Sequence, residues 1–146
     1  MTFLISHRGN ILGPNEEKEN CPKYIEEALI NYDVEIDVWL VDGNYFLGHD
    51  KPIYPINKAF LQNQKLWCHA KNLEALTGML KDNQIHCFWH QEDDVALTSS
   101  GFIWTYPGKK IAEEKAIAVI PEKNNFEWDI SKAEGICSDF VGKYHK

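Results

Sequence analysis

The sequence lacks any apolar run near the roughly 20 residues that a membrane-spanning helix needs, and its first apolar run stops at His7-Arg8, too early for a signal peptide. It also lacks a CxxC pair. Its four cysteines are spread along the chain: Cys21, Cys68, Cys87 and Cys137. Widely spaced cysteines among apolar residues are typical of reduced, packed thiols. We therefore expect a cytoplasmic protein.

Basic residues are also scarce. The chain has 15 Lys and Arg against 22 Asp and Glu, a formal net charge of -7. Such a field repels polyanions, so nucleic acid and anionic membrane surfaces are poor candidates for a partner. A small phosphate-bearing substrate would need local cations or a metal. With 146 residues, 44% hydrophobic, and no repeat, low-complexity segment or linker, we expect one domain over residues 1–146.

Strand-like and helix-like segments alternate along the chain. Strands are predicted at 2–6, 34–41, 44–49, 65–71, 85–90, 101–106, 116–120 and 135–140. Helices are predicted over 20–32, with Asn20 as cap, and after Asn72, with an apolar stripe of Leu73, Leu76, Met79 and Leu80. This alternation favours an α/β fold with a largely parallel sheet. Since a (β/α)8 barrel typically takes about 250 residues, we expect a compact, incomplete TIM-type barrel with several helices reduced to loops.

The segment "VEIDVWLVDGNYFLGHD" (34–50) is the first that indicates chemistry. The strand period of two puts Glu35 and Asp37 on one face and the neighbouring aliphatic residues on the other. Two carboxylates on one face repel each other unless a cation lies between them. The Asp-Gly turn returns His49 towards them, whether its loop has two residues or three. A solvent-facing acidic pair with an incidental histidine is the alternative interpretation.

Four motifs in order resemble the glycerophosphodiester phosphodiesterase family: "SHRGN", then Glu19-Asn20, then Glu35-Ile36-Asp37, then Gly48-His49-Asp50 after an Asp-Gly turn. The resemblance covers residues 3–50. Further on, "HAKN" occupies the place of the family's third-strand E-x-K, and "GICSDF" looks like its last strand. Motif matches of this kind are hypotheses about function.

The resemblance implies a metal-dependent phosphodiesterase with its site at the carboxyl ends of the strands. It implies His7 and His49 as acid and base, Arg8 as phosphate ligand, and Glu35 and Asp37 as ligands of one divalent metal ion. It also implies that a hydroxyl beside the phosphate attacks first and gives a cyclic phosphate. Histidine chemistry suits both proton transfers, and a guanidinium can hold two phosphate oxygens.

The sequence departs from that family at His69, which stands where a metal-binding glutamate would, while Lys71 is retained on the same face. The ion would be Mg, Ca or Mn, but a site with two carboxylates and an imidazole carries less negative charge and is tilted towards transition metals. In the alternative, His69 is a hydrogen-bonded histidine and metal binding is weak or lost. Lys71 would bind phosphate or, alternatively, lie on the surface.

Two other functions stay open: a non-catalytic barrel that binds a phosphate ligand, and a metal-independent lyase of the phosphatidylinositol type. Asp139 either ends the last strand near the site or caps a loop, and His90 is a further candidate for the site. A barrel lacking helices exposes apolar strand faces, so we expect a homo-oligomer. A monomeric mass by light scattering at micromolar concentration would refute that hypothesis.

Overall fold

The computed structural model describes residues 1–124 and 127–144, and it has an α/β fold in which one curled, mixed sheet carries few helices. The strands are β1 (Phe3–His7), β2 (Asp33–Val41), β3 (Asn44–Leu47), β4 (Tyr54–Ile56), β5 (Leu66–Ala70), β6 (Cys87–Phe88), β7 (Val95–Leu97), β8 (Ile103–Thr105), β9 (Ala116–Val119) and β10 (Gly135–Ser138). The α-helices are α1 (Pro22–Leu29), α2 (Lys58–Leu61) and α3 (Leu73–Leu80), and short 3-10 helices occupy Pro121–Asn124 and Val141–Tyr144.

Parallel pairing dominates the sheet. Within the described residues, parallel strands follow one another in the order β6-β5-β2-β1-β10-β9-β8. The strands β3, β4 and β7 join this set by antiparallel pairing. Because parallel strands end at the same edge of a sheet, the residues that follow β1, β2, β5, β8, β9 and β10 converge at one edge.

The two ends of the parallel set, β6 and β8, approach each other without a backbone ladder between them in the described part of the chain. The rings of Phe88 and Trp104 lie 4.8 Å apart between centroids. The Ser99 amide donates to the Cys87 carbonyl at 2.8 Å, and a hydrogen bond of 2.7 Å joins His86 Nε2 to Thr98 Oγ1. Side-chain and loop contacts therefore draw these edges together.

Apolar residues form two layers, as the alternation in β2 predicts. Val34, Ile36 and Val38 pack outward against α1 and α3 in one buried cluster. Ile5, Trp67, Phe88, Trp104 and Val119 belong to a second cluster on the concave side of the sheet. Glu35 and Asp37 lie on this concave side, which confirms the predicted facing of the hairpin.

Several local predictions are confirmed and others are wrong. Residues 89–115 contain no helix, in agreement with the expected reduction of several helices to loops. Asn72 caps α3, accepting from the Ala75 amide at 3.0 Å. The predicted stripe on α3 is wrong in part: Leu73 and Leu80 are 65% and 57% exposed, because α3 turns Ala75 and Met79 towards the sheet. None of the helices formed by the described residues is long and apolar enough to cross a membrane.

Candidate functional site

A left-handed turn after β1 positions the first two candidate residues. Arg8 and Gly9 have φ values of 57° and 95°, and the Arg8 amide donates to the Glu35 carbonyl at 2.9 Å. A Cβ at position 9 would lie 2.6 Å from the Tyr24 ring, so glycine is required there on both counts. This turn brings the Arg8 side chain across the end of β2.

The Arg8 guanidinium contacts three side chains at once: Asp37, Glu19 and His49. Its Nε lies 3.1 Å from Asp37 Oδ2 and its Nη1 lies 3.3 Å from Glu19 Oε2. Its Nη2 donates to His49 Nδ1 at 2.7 Å. These carboxylates outweigh the loss of hydration on burial and raise the pKa of Arg8 above its ordinary value. Arg8 is thus a fixed cation with its fork at the mouth of the site.

Glu35, Asp37 and His69 form a cluster in which one ligand atom from each lies within 4.8 Å of the others. Parallel pairing of β2 with β5 sets Asp37 beside His69. His69 Nδ1 lies 3.2 Å from Asp37 Oδ1 and 3.9 Å from Glu35 Oε1. Asp37 Oδ1 and Glu35 Oε2 are buried and have no hydrogen-bond partner among the described residues. Unpartnered buried carboxylate oxygens fit a bound cation.

The two carboxyl groups differ in pKa. Burial, followed by the negative charge of Asp37, raises the pKa of Glu35 well above its ordinary value. Burial acts in the same direction on Asp37, but contacts with His49 and His69 and the charge of Arg8 hold its pKa well below that range. A divalent cation between the two carboxyl groups would favour the ionised form of both.

The ring of His69 is held in one orientation. It stacks on Phe88 with centroids 5.1 Å apart and planes 6° apart. Its Nε2 donates to the His90 carbonyl at 3.3 Å, which leaves Nδ1 facing Glu35 and Asp37. Histidines that bind metals usually donate their other ring nitrogen to a carbonyl or carboxylate in this manner.

His7 is oriented by Asp139, which follows β10. His7 Nδ1 donates to Asp139 Oδ1 at 2.7 Å, and its Nε2 lies 3.7 Å from Glu35 Oε2. Asn10 donates to the same Asp139 oxygen at 2.9 Å. Burial would raise the pKa of Asp139, but the contact with His7 and the Asn10 hydrogen bond lower it. Of the two interpretations of Asp139, the structure supports the strand end near the site.

Asn20 does not cap α1, contrary to the prediction. The cap position is Cys21, with no side-chain hydrogen bond, and Asn20 adopts φ 64°. Its side chain instead pairs with Asp37: Nδ2 donates to Oδ2, and Oδ1 accepts from the Asp37 amide, both at 2.9 Å. Asn20 is fully buried by this pairing at 1% exposure. The only sign in the sequence that Asn20 belongs to the site was its place directly after Glu19 in the Glu19-Asn20 motif. Glu19 itself accepts a hydrogen bond from Asn10.

A cavity of about 410 Å³ joins these groups, within the usual range for small-molecule sites. It is lined by His7, Arg8, Glu35, His49, His69, Lys71, His90, Gln91, Trp104, Tyr106, Val119 and Ile120. Asp37 lies behind this surface, with its Oδ2 3.5 Å from His49 Nδ1. The seven residues singled out from the sequence are therefore brought together, and His90 and an apolar wall join them.

The hairpin reaches this arrangement through a two-residue turn. Val41 pairs with Asn44 around Asp42-Gly43, and the Gly48 amide donates to the Asp37 carbonyl at 3.2 Å.

Comparisons of this chain with models of protein families, with curated proteins and with solved structures gave no match. The functional interpretation therefore depends on the site itself.

Proposed function

We propose that this protein is a metal-dependent phosphodiesterase that hydrolyses a small glycerophosphodiester-like substrate on a compact, incomplete (β/α)8 barrel. The observation that carries the proposal is the convergence of Glu35, Asp37 and His69 with Arg8 and two histidines around one cavity. The sequential order of parallel strands supports the barrel.

Glu35, Asp37 and His69 would hold the divalent ion. Their fit rests on the two unpartnered carboxylate oxygens and on the His69 ring, whose Nδ1 faces them. When bound there, a divalent ion would neutralise charge that develops on the phosphoryl oxygens. Because one ligand is an imidazole, we expect Mn, Zn or Co to bind more tightly than Mg or Ca.

Arg8 and Lys71 would bind the phosphate. Arg8 is held by Glu19, Asp37 and His49, so its fork is fixed before a substrate arrives. Lys71 follows β5 and lines the same cavity. Two cations facing one cavity offset the overall charge of -7 at the point where an anion binds.

Hydrogen bonds favour His7 as base and His49 as acid. His7 Nδ1–H donates a hydrogen bond to Asp139, so Nε2 carries the lone pair that can accept a proton. His49 Nδ1 accepts from Arg8, so its proton resides on Nε2. His49 is also 44% exposed along its side chain, within reach of a leaving alcohol at the cavity mouth.

A hydroxyl beside the phosphate is the proposed nucleophile, giving a cyclic phosphate that water opens later. His7 would remove its proton and His49 would protonate the departing oxygen. A substrate analogue that lacks this hydroxyl should not be turned over. Turnover of the analogue at the full rate would exclude the cyclic route.

A metal-independent lyase of the phosphatidylinositol type is the second candidate, favoured by one contact. Arg8 Nε lies 3.1 Å from Asp37, so the guanidinium itself supplies positive charge to that carboxylate. Activity that resists a chelator would support this candidate over the metal enzyme.

Hydrolysis of glycerophosphocholine by metal-stripped protein, with Mg, Ca, Mn and Zn restored in turn, tests the proposal, and bis-p-nitrophenyl phosphate serves as the analogue without the adjacent hydroxyl. We expect activity that returns with a transition metal and is lost in His7→Ala. His86→Gln is a matched control, because His86 lies outside the cavity lining. Absence of turnover with every ion would instead favour a phosphate-binding barrel without catalysis.

A further inference from the structure

The cavity is divided by chemistry into two walls that come from different strands. The charged wall comprises His7, Arg8, Glu35, His49, His69 and Lys71, on or after β1, β2, β3 and β5. The apolar wall comprises Trp104, Tyr106, Val119 and Ile120, on or after β8 and β9. A phosphate with its metal would occupy only the charged wall, so the apolar wall is available to another part of the substrate.

Ile120 contributes to the apolar wall from a strained backbone conformation. Its φ is 44°, a region that a β-branched residue rarely adopts, and it precedes Pro121, which restricts it further. Its amide donates to the Cys137 carbonyl at 2.7 Å, and its carbonyl accepts from the Lys123 amide at 3.1 Å. Asn or Gly would suit this conformation better. Strain of this kind concentrates at functional sites.

The rest of the wall is packed against neighbouring side chains. Trp104 is 2% exposed and packs on Phe88, with centroids 4.8 Å apart. The Tyr106 ring stacks on His90, with centroids 3.4 Å apart and planes 19° apart. Val119 and Ile120 are 3% and 8% exposed. Such a wall can bury an apolar group without reorganising.

We propose that the apolar wall binds an apolar ester substituent of the phosphodiester, an alkyl chain or a ring, and that Ile120 is a specificity-determining residue. The inference rests on the proposed function, and it adds the class of alcohol esterified to the phosphate. Burial of the substituent against Ile120 and Tyr106 removes apolar surface from water, and this favours such esters over hydroxylated ones.

The test compares glycerol phosphodiesters whose second ester is hexyl or 2-hydroxyethyl, because both release an alkanol. We expect kcat/KM for the hexyl ester to exceed that for the hydroxyethyl ester by about tenfold or more, as burial of two or more methylenes gives. Phenol is a better leaving group than an alkanol, so calorimetric binding of phenyl phosphate and hexyl phosphate, rather than turnover, distinguishes an aromatic ring from a lipid-like chain. Ile120→Asn should reduce this preference at least threefold, whereas Ile120→Val should retain it.

A second measurement does not require turnover. Calorimetric binding of hexyl phosphate and of glycerol phosphate to the metal-loaded protein should show tighter binding of hexyl phosphate, with the difference reduced in Ile120→Asn. Asn accepts a positive φ, so this variant should fold, which thermal unfolding checks. Equal or better use of the hydroxyethyl ester, or an unchanged preference in folded Ile120→Asn, would overturn this inference alone. If the protein neither cleaves these diesters nor binds either monoester, the proposed function is overturned along with this inference.

Discussion

At the residue scale, Asp139 is predicted to position His7 for proton transfer. It holds Nδ1 at 2.7 Å, and Asn10 fixes the same carboxylate oxygen. In Asp139→Asn, an amide replaces the anionic acceptor, so the His7 ring loses its preferred tautomer. We expect kcat to fall at least about tenfold with KM little changed.

Rescue by a second carboxylate separates this role from a merely structural one. Asp139→Glu keeps an anionic acceptor for His7 Nδ1, so it should restore part of the rate that Asp139→Asn loses. Loss of thermal stability in Asp139→Asn without a fall in kcat, or an equal fall in kcat in both variants, would contradict the positioning role.

His69 is predicted to set the metal preference. In His69→Glu, three carboxylates replace a mixed set of ligands, and hard oxygen ligands suit Mg and Ca. We expect the ratio of Mg affinity to Mn affinity to rise by about tenfold or more, measured by calorimetric titration of the metal-stripped protein. An unchanged ratio would show that His69 does not contact the ion.

At the element scale, Asn72 is predicted to stabilise the start of α3 and also its attachment to β2. Its Oδ1 accepts from the Ala75 amide of α3 at 3.0 Å and from the Leu40 amide at 3.2 Å, and its Nδ2 donates to the Leu40 carbonyl at 2.9 Å. We expect Asn72→Ala to reduce the free energy of unfolding by about 1 to 2 kcal/mol, measured in urea.

Asn57 offers the matched control. It caps the four-residue α2 with one hydrogen bond to the Phe60 amide at 2.9 Å. Asn57→Ala should therefore cost less than Asn72→Ala. Equal losses would mean that the contacts of Asn72 with β2 add nothing to the cap.

The elements show what the sequence could predict. Local patterns suffice for the β2–β3 hairpin, whose alternation places Glu35 and Asp37 on the concave side, and for the Asn72 cap. They fail at Asn20, because a buried partner 17 residues away outcompetes the helix end for its side chain. They also fail at β4 and β7, which are three residues each and too short to show a period.

Long-range partners explain the remaining gaps in the site. His7 and Asp139 are separated by 132 residues, and only the parallel pairing of β1 with β10 brings them together. Trp104 is buried in the core, and the curl of the sheet also places it in the lining of the cavity. No sequence pattern within a single strand predicts how the whole sheet curls.

At the scale of the whole molecule, the half-buried His86 links stability to pH. Burial lowers its pKa from an ordinary 6.5 to about 4. Between these values the unfolded chain binds more protons than the folded one, so this contribution is fully present above pH 6.5 and is lost as the pH falls towards 4. We expect the free energy of unfolding of the wild type to fall more steeply across this range than that of His86→Gln.

Urea titrations at pH 7, 5.5 and 4.5 on both proteins measure this difference. Glutamine keeps a group that can bond to Thr98, the partner of His86, and it does not titrate. Parallel pH dependences in the two proteins would show that His86 is not the group responsible.

The proposed cleavage of a phosphodiester would take place in one cavity, built at the ends of β1, β2 and β5. The most direct measurement is a ³¹P NMR spectrum of glycerophosphocholine after incubation with Zn-loaded protein, quenched with a chelator before recording. We expect the diester resonance to disappear and a cyclic phosphate resonance to appear, with neither change in His7→Ala. An unchanged diester resonance for the wild type under every divalent ion would contradict the proposed phosphodiesterase activity.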